Sequence, residues 1–141
     1  MTSKALLTAA AALFISINAI AAEDETPLYK EMTAMNKSLR ILKRQVADPA
    51  KKEDNLALVG KMKANVDASL KLEPAKGKDV PAADKPAYLE KFKQQLVDLK
   101  KAYEELETAL KADKQDEAKK VFEKLSEQKE KAHKDFGVCD E

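Results

Sequence analysis

The chain has 141 residues and carries 26 Lys and Arg against 25 Asp and Glu, a net charge of +1. That balance argues against nucleic-acid binding, which wants a basic excess concentrated on one face, and the length suits a single domain with one core. Three Gly, no Trp and a usage rich in Ala, Lys, Leu and Glu point to helices.

At the N-terminus, Lys4 precedes an apolar stretch from Ala5 to Ile17, and Asn18-Ala19-Ile20-Ala21-Ala22 follows with small residues at cleavage spacing. This predicts a secretory signal peptide over residues 1–21, cut between Ala21 and Ala22. The apolar run is only roughly half to two-thirds of the ~20 residues that a bilayer span needs, and no second one follows, so no membrane span is expected in the mature chain, 22–141. Cys139, third from the end, is the single cysteine and forbids an internal disulfide. The expectation is a monomer whose tail thiol has no structural role, with a dimer through Cys139 as the alternative.

Four helices are predicted in series. The first starts with Thr26 as N-cap and Pro27 at its first position, and its apolar residues Leu28, Met32, Met35, Leu39, Leu42 and Val46 alternate in steps of four and three. Asp48-Pro49 stops that run and caps a second helix bearing Leu56, Val59, Met62, Val66 and Leu70. From Glu73 to Pro86, three prolines and Gly77 predict a surface loop, the longest connection.

The third helix gives the cleanest pattern, with Leu89, Phe92, Leu96, Leu99, Tyr103, Leu106 and Leu110 in unbroken three-four alternation. Polar residues 112–116 break it. A fourth helix follows with Ala118, Val121, Phe122, Leu125, Ala132 and Phe136, and Gly137 ends it. Isolated amphipathic helices of this length are marginal in water, so the four stripes must bury one another. Short connections between the first and second and between the third and fourth helices favour an all-α, up-down-up-down antiparallel four-helix bundle. A coiled-coil oligomer is the rival, and the proline breaks argue against it.

Enzyme signatures are missing: there is no Gly-rich phosphate loop, no Cys-His or Ser-His-Asp set at recognisable spacing, and one histidine in total. The chain is therefore not expected to be an enzyme. Nor does it carry the Cys-x-x-Cys-His motif of covalently attached haem. The lone His133 falls eight residues after Leu125 and three before Phe136, on or beside the buried stripe. By itself it reads as a boundary histidine, and Met32 as core packing like Met35 and Met62. In an up-down-up-down bundle, however, the start of the first helix and the end of the fourth share one end. A thioether and an imidazole there can supply both axial ligands of a haem iron.

These residues resemble a known family, the soluble periplasmic cytochromes b562. Leu28-Tyr29-Lys30-Glu31-Met32 with Asn36, Leu39 and Leu42 is similar to the family's first helix, and Lys61-Met62-Lys63 with Asp67-Ala68 resembles its second. The third and fourth helices align without a gap from Phe92 to His133, through Leu99, Glu117-Ala118 and Leu125. The resemblance implies a periplasmic electron-transfer protein with one non-covalent haem b. Met32 and His133 would be its axial iron ligands, Phe92 would pack on the porphyrin face, and Leu96 would stand at the neighbouring core position. Lys129 and Gly137 depart from the family, whose cytochromes can carry arginines near the haem edge.

With both axial positions taken by protein, no open iron site remains, and methionine ligation favours a comparatively high potential. The partners expected are haem and unidentified periplasmic redox proteins. Two rival readings stand beside this one: a haem-free helical bundle acting as a binding or chaperone-like module, and a Met/His copper carrier, for which one imidazole and no stripe cysteine make a poor donor set.

Overall fold

The computed structural model describes residues 26–137, which form α1 (Pro27–Gln45), α2 (Lys52–Ser69), α3 (Lys85–Lys111) and α4 (Gln115–Phe136). The predicted signal peptide and Cys139 lie outside the described residues. Local chemistry sets the helix ends. Thr26 Oγ1 accepts from the Tyr29 amide at 3.2 Å, and Pro27 costs nothing at the first position, where its missing N–H has no helical partner. Gly137 ends α4 in the left-handed region at φ +60°, its N–H donating to His133 O at 2.8 Å. The end of the Lys76 side chain lies close to where a Cβ on Gly137 would stand and could shift, so it is the left-handed conformation that calls for glycine here.

Cross-helix contacts establish the antiparallel, up-down-up-down order. Gln45 meets Asn55 at one end of the α1–α2 pair and Glu31 meets Asn65 near the other. Lys63 pairs with Glu107, and Lys100 with Asp67, between α2 and α3. Lys91 and Gln95 of α3 both reach Asp135 of α4. The core runs down the middle, with Leu42, Val59, Met62, Val66, Leu106 and Leu125 fully enclosed, each contributing about 1.5–3 kcal/mol of apolar burial. Among the described residues no helix is long and apolar enough to cross a membrane.

Three expectations need correction. Asp48 caps not α2 but the 3-10 turn Pro49–Lys51 before it, its Oδ1 accepting from the Ala50 N–H at 3.0 Å, and α2 starts at Lys52 with no side-chain cap. Within the predicted loop from Glu73 to Pro86, Ala75–Lys78 forms a 3-10 turn and α3 already begins at Lys85. Proline is tolerated in a first helical turn, so Pro86 starts the helix rather than ending the loop. In α2 the enclosed stripe is Asn55, Val59, Met62, Val66 and Ser69, while Leu56 and Leu70 are half-buried at its margin.

Asn55 is tolerated inside because both ends of its amide are used. Its Oδ1 accepts from Gln45 Nε2 at 2.9 Å and its Nδ2 donates to Gln45 O at 3.0 Å. Ser69 donates to Asn65 O at 2.7 Å. An apolar-only reading overlooks polar residues that satisfy themselves on the inner face.

The four seams are unequal. α1 with α2, α2 with α3, and α3 with α4 approach closely along their backbones, whereas α1 and α4 do not. The space near that loose seam is where the candidate site lies.

Candidate cofactor site

A cavity of about 170 Å³ lies between α1, α3 and α4. Its wall is Met32, Met35 and Leu39 from α1, Phe92, Leu96, Leu99 and Tyr103 from α3, and Ala132 and Phe136 from α4; Asn36, Gln95, Asp98, Gln128, Lys129 and Lys131 make the polar part. Each helix delivers its contribution from one stripe, because residues three and four apart stack on the same face.

Phe92 and Phe136 close the cavity edge to face, with ring centroids 5.2 Å apart and planes at 68°, an arrangement worth about 0.5–1.5 kcal/mol beyond area burial. Tyr88 packs on the other side of Phe136 at 5.3 Å. Burial pushes the Tyr88 phenol up from its usual range.

The two thioethers on the wall differ. Tyr103 Oη donates to Met35 Sδ at 3.9 Å, whereas Met32 sulfur accepts no hydrogen bond among the described residues. Met32 is therefore the thioether left available on the wall.

Across the loose seam, Lys129 Nζ donates to Asn36 Oδ1 at 2.7 Å. In an antiparallel pair the next turn back along α1 faces the next turn forward along α4. Met32 and His133 stand at those positions and so share a level of the bundle. His133 itself is half-buried and is not part of the cavity wall, although Lys129, Ala132 and Phe136 around it are. The four residues predicted for the site thus divide: Met32, Phe92 and Leu96 come together around the cavity, and His133 stands beside it.

Other members of the site had only a stripe signal, as Met35 and Phe136 did, a place in the resemblance, as Asn36 and Leu39 did, or none, as Gln95 did. Gln95 Oε1 is a buried acceptor without a partner among the described residues, while its Nε2 donates to Asp135 Oδ2 at 3.1 Å. Lys91 first, and Gln95 with it, hold the Asp135 carboxyl below the usual carboxylate range.

Among the described residues no group of three or more His, Cys, Asp or Glu is placed to hold a metal ion. A haem brings four nitrogens of its own and asks the chain for two axial atoms; Met32 on the cavity wall and His133 at its level but outside the wall are the thioether and imidazole present. The apolar wall and the lysines at its edge suit a flat apolar ring bearing carboxylates. The volume is smaller than the ~300–1,000 Å³ of typical small-molecule pockets. No family model matches this chain, and no curated protein or solved structure matches it.

Proposed function

We propose that the chain is a periplasmic electron-transfer protein of the cytochrome b562 kind, holding one non-covalent haem b between Met32 and His133. The reading is carried by the Met32 sulfur, which accepts no hydrogen bond among the described residues and stands on the cavity wall at the level of the chain's single histidine. When bound, the haem supplies one-electron chemistry at its iron.

The chain's residues do the rest. Met32 offers a soft, uncharged donor, which favours the reduced metal. His133, beside the cavity at the level of Met32, would supply the imidazole. Leu39, Leu96 and Leu99 on the cavity wall would keep water from the ring, and Phe92 and Phe136 would close one end of the site. Lys129 and Lys131 supply positive charge at the polar edge.

Titration of the protein with haemin, followed by optical spectroscopy, tests the reading. A one-to-one complex with a shifted, low-spin Soret band is expected, and the low-spin signature should be lost in both Met32→Ala and His133→Ala. A free-haemin spectrum for the wild type, or a low-spin spectrum that survives both substitutions, overturns it. The cavity's small volume favours a second reading, a haem-free bundle that binds small apolar ligands, and the free-haemin outcome would support it.

A further inference from the structure

The helices do not share charge evenly. α1 carries Lys30, Lys37, Arg40, Lys43 and Arg44 against the single carboxylate Glu31, whereas cations and anions balance in α2 and in α4 and differ by one in α3. Both arginines of the chain are on α1. All five cations are exposed. None has an ion-pair or side-chain hydrogen-bond partner among the described residues, as is also true of several lysines on α4, but only on α1 are the cations largely unmatched by carboxylates on the same helix.

Helical spacing puts Lys30, Lys37, Arg40 and Arg44 on one solvent-facing stripe, roughly 21 Å long at 1.5 Å per residue. Ile41 lies inside the stripe, 39% exposed, one of two large apolar side chains at the described surface that are this open. Glu31 points the other way, accepting from Asn65 of α2.

Local structure does not account for the stripe. Lys43 and Arg44 in the last turn complement the helix dipole, but Lys37 and Arg40 are too far from the end for that. Like charges three and four apart, as at Lys37/Arg40 and Arg40/Arg44, work against the helix. An uncompensated cationic ridge with an apolar residue at its centre has the make-up of a docking face.

We infer that the outer face of α1 from Lys30 to Arg44 docks an acidic protein surface, with Arg40 and Arg44 pairing carboxylates around Ile41. Arginine's planar fork matches carboxylates in a bidentate manner. The ridge alone would also suit nucleic acid, but a nucleic-acid-binding domain is expected to be strongly basic as a whole, and this chain's net charge is +1. An anionic membrane is disfavoured because the apolar stripe of α1 is spent in the core, which leaves Ile41 alone to insert. The inference does not depend on haem.

The test titrates 15N-labelled chain from Ala22 onward, which contains the whole bundle, with poly-L-glutamate and separately with vesicles of equal phosphatidylcholine and phosphatidylglycerol. Amide shifts from poly-L-glutamate should concentrate between Lys30 and Arg44 and fade with added salt. Arg40→Glu with Arg44→Glu should weaken binding on the order of tenfold, while Lys119→Glu with Lys120→Glu, the same charge change on α4, should leave it nearly intact. Shifts spread over all helices, equal losses in the two double variants, or tighter binding to the vesicles than to poly-L-glutamate overturn the inference. Far-UV circular dichroism of each variant shows that the bundle remains.

Discussion

Lys129 reaches across the loosest seam of the bundle and donates to Asn36 at 2.7 Å, tying α4 to α1 one turn from Met32 and His133. This contact marks the register in which Met32 and His133 share one level of the bundle, and on the proposed reading it would lie across the route of a flat ligand.

Lys129→Met should therefore affect stability and ligand entry in opposite senses. Loss of a charge-assisted, part-buried hydrogen bond should lower unfolding stability by about 1 kcal/mol, read from urea denaturation of the haem-free protein. Haemin association, followed by stopped flow, should become faster. Slower association in this variant would mean that the tie does not gate the seam.

Asn55→Ala removes the fully buried amide that links α2 to the end of α1 and leaves the Gln45 side-chain amide without its partner, while the Gln45 carbonyl keeps the bond from the Asp48 N–H. Urea denaturation should show a loss of about 1–3 kcal/mol. Asn55→Leu should not recover it, because Gln45 would still face an apolar side chain.

How much of the site could be read from the sequence follows from the same residues. Apolar periodicity marks Met32, Phe92 and Leu96 because a buried wall must be apolar, and they do line the cavity. Asn55, Ser69 and Gln95 carry no such mark, since whether a polar residue can turn inward depends on partners supplied by folding. His133 is ambiguous for the same reason: eight residues from Leu125 leaves it beside the stripe, and its half-buried position keeps that ambiguity. The looseness of the α1–α4 seam depends on packing between elements far apart in the chain, to which local pattern is blind.

Gly137→Ala should cost about 1–2 kcal/mol, the strain of an L residue in the left-handed region. Lys76 must also move from over the helix end, which its flexible side chain can do. Thermal unfolding followed at 222 nm measures the loss, and an unchanged midpoint would show that the last turn of α4 is frayed in solution.

Glu107 sets an acid limit on stability. Its carboxyl lies below its ordinary pKa because Lys111 and then Lys63 bond it. A carboxylate whose folded pKa is depressed adds stability that is complete above its unfolded pKa and is lost as pH falls through the folded value. Stability contributed here should hold above about pH 5 and decline below the ordinary glutamate value of about 4.3. Glu107→Gln should lower stability at neutral pH and flatten the decline on acidification, as measured by urea midpoints between pH 7 and pH 3. Parallel pH profiles for the two proteins would remove Glu107 from this role.

The claim that Met32 and His133 hold a haem is tested most directly by proton NMR of reduced, haemin-reconstituted protein labelled with 13C-methyl methionine. A methionine methyl held against a porphyrin face experiences the ring current. One methyl resonance should stand far upfield of the others and vanish in Met32→Ala. Methionine methyls that all remain at ordinary shifts, or an upfield resonance that survives Met32→Ala, would contradict the assignment.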